Sequence, residues 1–203
     1  MKINLAAICA NYDFEALFKK LGYSYFTDGN YNLNIIGVRH TGNVVTNKFD
    51  DCLILIYKDN NGSLQRKIFS CTTQPGLTYM GEKMGNEKGT AILVPGQYKG
   101  AYKLGLHKGK YTALVQAKPV KVYRDNDKDN EYDYDPEKID EGYFGLNIHK
   151  AGTASSVING WSAGCTVLAN ESDFKSLIYA AKNQISNHHG ETFTYTLIKE
   201  EDL

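Results

Sequence analysis

Cys165 and His149 are the two residues whose types and placement can carry covalent chemistry. A cysteine attacks as its thiolate, and a nearby imidazole favours that form or takes the proton during attack. The residues leading to the cysteine, Ser162-Ala163-Gly164-Cys165, are small. They leave a sulfur open and let backbone N–H groups converge where an oxyanion forms, with Gly164 and Cys165 as the natural donors. Ser162 reads either as a brace for the turn or the base, or as ordinary turn chemistry. Trp161, the single tryptophan, reads either as a wall of the cleft or as a core anchor. Spacing alone carries little weight, because a buried cysteine and an unrelated histidine look the same.

Other chemistry is thinner. The four cysteines, Cys9, Cys52, Cys71 and Cys165, contain no Cys-x-x-Cys pair, which argues against zinc and against a disulfide framework. Cys52 and Cys71 lie in apolar runs and read as buried small hydrophobes. The acidic stretch places Asp125, Asp127, Asp129 and Asp133 at positions one, three, five and nine of a calcium-loop pattern. Asn130 stands where glycine is usual, and Pro136 stands where the bidentate carboxylate belongs. A structural calcium is therefore one expectation, and a solvated acidic loop or a rim facing substrate is the other. His40, His107, His188 and His189 have no neighbouring carboxylate or cysteine pattern and read as surface or structural residues. The glycines and methionines of the stretch from Gly76 to Gly89, Met80 and Met84 among them, read as a flap over the cleft.

The elements that must position Cys165 and His149 follow from periodicity. Phe14, Leu17, Phe18 and Leu21 predict an amphipathic helix over residues 12–21, ending at Gly22. Strands are predicted over 33–38, 52–57, 64–71, 90–94, 111–117, 120–123, 143–149, 165–168 and 193–198. Asp59-Asn60-Asn61-Gly62 marks a hairpin turn. Residues 171–186 predict a second helix, with Asn170 as its cap. The stretch 1–10 reads as an N-terminal strand or helix in preference to a signal peptide. The fold expected is mainly β of the α+β kind, with residues 1–50 as an extension packed on a catalytic domain at 51–203.

Lys plus Arg and Asp plus Glu are 23 each, so no global basic field exists to hold nucleic acid. The local run Lys99, Lys103, His107, Lys108 and Lys110 reads as a solvated hairpin edge. No segment is long and apolar enough for a membrane span.

The stretch from His149 to Leu168 resembles the catalytic motif of the L,D-transpeptidase (YkuD-type) family. That family has a strand ending in a histidine, a loop, Ser/Thr-x-Gly-Cys, a short strand and a helix. Here these are Ile148-His149-Lys150, the loop to Trp161, Ser162-Ala163-Gly164-Cys165, Thr166-Val167-Leu168 and the helix from Glu171. Upstream, Gly89-Thr90 and Pro95-Gly96-Gln97-Tyr98 are a stretched form of the family's Gly-Thr-Pro-x-Gly-x-Tyr. The resemblance spans residues 52–198. It departs at Ala163, where the family commonly has a second histidine.

The resemblance implies a β-sandwich with flanking helices and a cysteine acyl-transfer enzyme acting on peptidoglycan stem peptides at an L,D bond. His149 would be the base, oriented by a backbone carbonyl near Lys150, with Cys165 the nucleophile. Gly164 would donate to the oxyanion and Ser162 would support the turn. Lys150, Trp161 and Ala163 would face substrate. No cofactor is required. The absence of a convincing export signal favours a lytic, endolysin-like role, reaching the wall by another route. Two rivals remain, a non-catalytic wall-peptide or virion module on the same fold and a peptidase for ordinary L,L bonds. The enzyme reading calls for a reactive Cys165 of low pKa; the module reading predicts an inert or buried thiol.

Overall fold

The computed structural model describes residues 5–42, 44–81, 86–127 and 129–203. Two short helices open the chain, α1 (Leu5–Asn11) and α2 (Phe14–Leu21). The Asp13 carboxylate caps α2 by accepting from the Ala16 N–H at 3.0 Å. Gly22, with φ of 70°, ends it: its N–H donates to the Lys19 carbonyl and the following N–H, of Tyr23, donates to the Phe18 carbonyl.

Strands follow as β1 (Asn34–Arg39), β2 (Asp51–Lys58) and β3 (Leu64–Thr72). Then come a single helical turn α3 (Leu77–Met80), β4 (Thr90–Leu93), β5 (Gly96–His107), β6 (Tyr111–Gln116), β7 (Val120–Asp125) and β8 (Ile139–Gly142). The chain closes with β9 (Ile148–Lys150), β10 (Thr166–Leu168), α4 (Glu171–Ser186) and β11 (Thr192–Lys199). The β2–β3 turn is set by Gly62, whose φ is 76°, and by Asp59, whose carboxylate accepts from the Asn61 and Ser63 N–H groups.

Eight strands close a barrel in the order β1-β11-β5-β6-β9-β10-β3-β2, and β4-β7-β8 form a separate sheet. The expected sandwich is thus a barrel. The two chain ends make the closure: β11 runs parallel to β1, with Ile36 opposite Thr196, and so covers the edge a sandwich would leave open. The helices of the N-terminal stretch do pack on the domain, but β1 is a stave of the barrel.

β2 is buried on both faces, which explains its unbroken apolar run. Leu53 and Leu55 join the main core, with Phe69, Ile148, Leu168 and the buried face of α4 (Phe174, Leu177, Ala180, Ala181). Cys52, Ile54 and Ile56 point the other way and meet Phe14, Leu17 and Phe18 of the N-terminal helices. Cys52 and Cys71 are both buried in strands, as their apolar surroundings predict.

Helix α4 spans the residues expected. Asn170 sits at its cap position, but its side-chain amide donates to Asp173 Oδ2 at 3.3 Å instead of accepting a helix N–H. The strand expected over 143–149 is mostly absent. Gly145 takes a φ of 70°, and the Gln116 side-chain oxygen captures the Phe144 and Leu146 N–H groups, so only β9 remains.

Tyr195 ties the core to β10, the stave that follows Cys165. It is fully buried, packs edge-on to Tyr102 at 5.7 Å, and its hydroxyl lies 3.0 Å from Thr166 Oγ1. Its ring needs the space that Gly37 leaves, since a Cβ there would lie 2.0 Å from the Tyr195 hydroxyl. Gly37→Ala is therefore expected to lower unfolding free energy by about 1–3 kcal/mol through overpacking. Tyr195→Phe, which strands the Thr166 hydroxyl, is expected to cost about 1 kcal/mol. Urea denaturation checks both; an unchanged midpoint for Gly37→Ala would contradict this packing.

Candidate active site

β9 and β10 run parallel as neighbours, with His149 opposite Val167 and Thr166 opposite Ile148. The Thr166 N–H extends the ladder by donating to the Asn147 carbonyl at 3.1 Å. Opposed residues in such a ladder share a face, as do alternate residues along each strand. His149, Asn147, Val167 and Cys165 therefore lie on one face, while Ile148 and Leu168 point into the main core. Diagonal neighbours of this kind have Cα atoms about 8 Å apart, within reach of a cysteine and an imidazole. Ala151, Cys165 and Val167 form one small cluster under Phe49.

The imidazole is held firmly. His149 Nδ1 lies 2.8 Å from the Lys150 carbonyl, so Nδ1 carries the proton and Nε2 presents a lone pair. The Tyr111 hydroxyl stands 3.4 Å from both Nδ1 and that carbonyl. His107 stacks on the ring, with centroids 4.0 Å apart and planes 22° from parallel. Burial, and next the charge on His107, push the His149 pKa down to about 3, so the ring is neutral at ordinary pH.

The sulfur accepts from the Asn147 N–H at 3.4 Å and donates to the Gly145 carbonyl at 3.6 Å. Burial pushes the Cys165 thiol above its ordinary value, with the Asn147 N–H and the charge of Lys108 pulling the other way. Among the described residues no Sγ–imidazole hydrogen bond forms. The resting pair is thus a neutral thiol and a neutral imidazole. The low-pKa thiolate called for by the sequence reading is not the resting state, because the site is too dry to hold the two charges.

The turn departs from expectation in one way. The Gly164 N–H, expected to face an oxyanion, donates instead to Ser162 Oγ at 3.1 Å, and that hydroxyl donates to the Cys165 carbonyl at 2.8 Å. Ser162, fully buried, is the brace of the turn. No backbone acceptor for the Cys165 N–H is found among the described residues. Gly164 is needed for its backbone: its φ is 116°, and a Cβ would lie 2.2 Å from the Ala91 carbonyl oxygen.

The substrate-facing residues divide. Trp161 is 45% exposed on the loop between the two motifs, so it is not a core anchor. Ala163 is exposed at the turn. The Lys150 ammonium turns away to Glu171 at 2.9 Å and lies over the Tyr111 ring, so Lys150 serves the histidine through its carbonyl. Loop 151–162 is pinned by Asn47, whose side-chain oxygen accepts from the Asn159 N–H at 2.7 Å and the Leu77 N–H at 3.1 Å. The polar stretch between β1 and β2 thus supports the site loop.

His107, Asn147 and Tyr111 were hidden from sequence reasoning. His107 is 6% exposed; its Nδ1 lies 3.1 Å from the Asn147 amide nitrogen, and its ring meets Tyr111 across the β5–β6 hairpin and His149 of β9. Of the two expectations for it, surface or structural, the structural one fits: it is buried in the end pair of the β5–β6 hairpin, opposite Tyr111. His40 likewise has a carboxylate partner, Glu200, at 2.6 Å.

In the acidic loop the described carboxylates accept from N–H groups of the loop itself. Asp125 Oδ2 accepts from the Asp133 N–H, Asp127 Oδ1 from the Asp129 N–H and Asp129 Oδ1 from the Glu131 N–H. Asp125 is buried, and that burial pushes its pKa up to about 6. Among the described residues no three His, Cys, Asp or Glu side chains converge on a metal-sized site. Met80 of the expected flap is buried against Ile92 and Tyr132, and Met84 lies outside the described residues.

No family model matches the chain, and neither a curated protein nor a solved structure does. Among the described residues no helix is long and apolar enough to cross a membrane.

The electrostatics give a pH prediction. Comparing thiolate absorbance of wild type and Cys165→Ser through an acid-to-alkaline titration is expected to show Cys165 ionising only above its ordinary 9.0, with no acidic inflection. An acidic inflection would reveal a thiolate–imidazolium pair and contradict the neutral resting state.

Proposed function

We propose that the protein is an L,D-transpeptidase-like cysteine enzyme that cleaves or transfers peptidoglycan stem peptides at an L,D bond. The observation that carries this reading is the placement of Cys165 and His149 on one face of a parallel strand pair, with His149 Nδ1 fixed on the Lys150 carbonyl. That arrangement leaves Nε2 as the only basic position of the ring.

Chemistry follows from the neutral pair. As Cys165 Sγ attacks the scissile carbonyl carbon, His149 Nε2 takes the thiol proton, so the charge pair develops only during the reaction. The Cys165 N–H faces the developing oxyanion. Collapse breaks the C–N bond, His149 returns the proton to the departing amine, and a thioester remains. Water or an acceptor amine then attacks the thioester, with His149 again as base. Trp161 and Ala163 border the approach, and Ser162 holds the turn that aims the sulfur.

The second reading, a non-catalytic module for wall peptides, is favoured by the 9% exposure of Cys165 and by the missing Sγ–imidazole bond. Mass spectrometry of purified muropeptides incubated with wild type and Cys165→Ala separates the two. The enzyme reading predicts loss of a terminal D-residue, cleavage of a cross-link, or D-amino-acid exchange with wild type alone. Unchanged muropeptides with both proteins would favour the module.

A further inference from the structure

All four cysteines are free thiols, and the fold brings two of them into contact. Cys9 of α1 and Cys52 of β2 are both buried where the N-terminal helices pack on the face of β2 turned away from the main core. There the two thiols hydrogen-bond to each other. Cys71 points into the main core, and Cys165 clusters with Ala151 and Val167, so neither belongs to this pair.

Their surroundings make one thiol a nucleophile and the other its donor. The hydrogen bond from Cys52 holds the Cys9 thiol below its ordinary pKa against burial, and the charge of Arg66 adds to the lowering. Arg66 is fixed at the end of α1, where Nη1 donates to the carbonyls of Cys9, Ala10 and Tyr12 at 3.0, 2.9 and 2.9 Å. The same thiol–thiol bond, and next burial, push Cys52 up. Burial likewise pushes Cys71 and Cys165 up. Cys52 also lines a cavity of roughly 590 Å³, walled in part by Leu5 and Ala6 of α1 and by Phe49. A small oxidant therefore has a route to a pair that is otherwise covered.

We propose that Cys9 and Cys52 are a dithiol site that a peroxide converts to a disulfide, fastening α1 to the barrel. The Cys9 sulfur attacks a peroxide oxygen, the O–O bond breaks, and the departing hydroxide takes the thiol proton as water, leaving a sulfenic acid. The Cys52 sulfur then attacks Cys9 Sγ, the S–O bond breaks, and a second water leaves with the Cys52 proton. Two thiols together lose two electrons, and one hydrogen peroxide becomes two waters. An added thiol reverses the link by exchange. The disulfide closes the chain between residues 9 and 52, so the oxidised protein resists unfolding more than the reduced one. The site stands apart from the acyl-transfer reading.

Disulfide mapping of the folded protein tests this. The protein is titrated with hydrogen peroxide, blocked with N-ethylmaleimide and digested with trypsin without reduction; cleavage after Lys and Arg leaves the four cysteines in four different peptides. The expected product is a linked pair of peptides carrying Cys9 and Cys52, formed before Cys71 or Cys165 is oxidised and lost on adding dithiothreitol. Thermal melting of the oxidised sample is expected at a midpoint several degrees above that of the reduced one. Dithiothreitol and Cys9→Ala each abolish the shift; Cys52→Ala serves where Cys9→Ala fails to fold, and the wild-type map needs neither variant. Oxidation of Cys71 or Cys165 while Cys9 and Cys52 stay free, a disulfide with other partners, a linked pair formed only in urea, or four thiols that survive peroxide until the protein unfolds would overturn the site. A linked pair with an unchanged midpoint would overturn the fastening of α1.

Discussion

The parallel pairing of β9 with β10 is the constraint on which the site depends. Adjacent parallel strands cannot be joined by a tight turn, so a crossover must leave one strand end and return to the start of the next. Here residues 151–165 make that crossover without an α-helix. The separation of His149 from Cys165 in sequence is a consequence of this topology, as is their approach in space. The ladder bond from Thr166 to Asn147 fixes the register, and a slip of one residue would send either side chain into the core. The strands are three residues each, too short to hold register alone. Their stability is borrowed from β3 and β6 on either side, from Tyr195 beneath Thr166, and from Asn47 gripping the loop above.

Dryness governs the chemistry that follows. His149 and Cys165 are both buried, and burial opposes charge on either. The stacked His107 adds to this for His149, since a second imidazole at 4.0 Å penalises a second positive charge. In the proposed acyl transfer, the same surroundings would make any charge formed during attack sensitive to a few oriented donors, and the Cys165 N–H would be one of them. Asn147 links the parts: its backbone N–H reaches the sulfur, its side-chain nitrogen lies against His107, and its side-chain oxygen accepts from the Gln116 N–H at 2.9 Å.

Local signals were legible in the sequence, and long-range ones were not. The apolar spacing of α2 and α4 and the alternation of most strands located those elements within a residue or two. The turn before Cys165 was visible in its small residues, and a strand at His149 in the apolar residues before it. Barrel closure was not visible, since β1 and β11 pair across the whole chain. β5 was missed because its glycines and lysines break the apolar alternation while its partners β11 and β6 hold it extended. His107 escaped because its partner Asn147 lies 40 residues away. The Gly164 donor was misassigned because Ser162, two residues earlier, competes for the same N–H.

The central claim is that Cys165 forms a thioester with the acyl part of a stem peptide. Intact-protein mass spectrometry of wild type, mixed with a stem tetrapeptide and quenched in acid within the first turnovers, tests it most directly. The account predicts an added mass equal to the tripeptide acyl group, mapped to Cys165 after digestion and absent from His149→Ala. A protein that turns over the peptide with no adduct on Cys165, or one that carries the adduct on another residue, would contradict it.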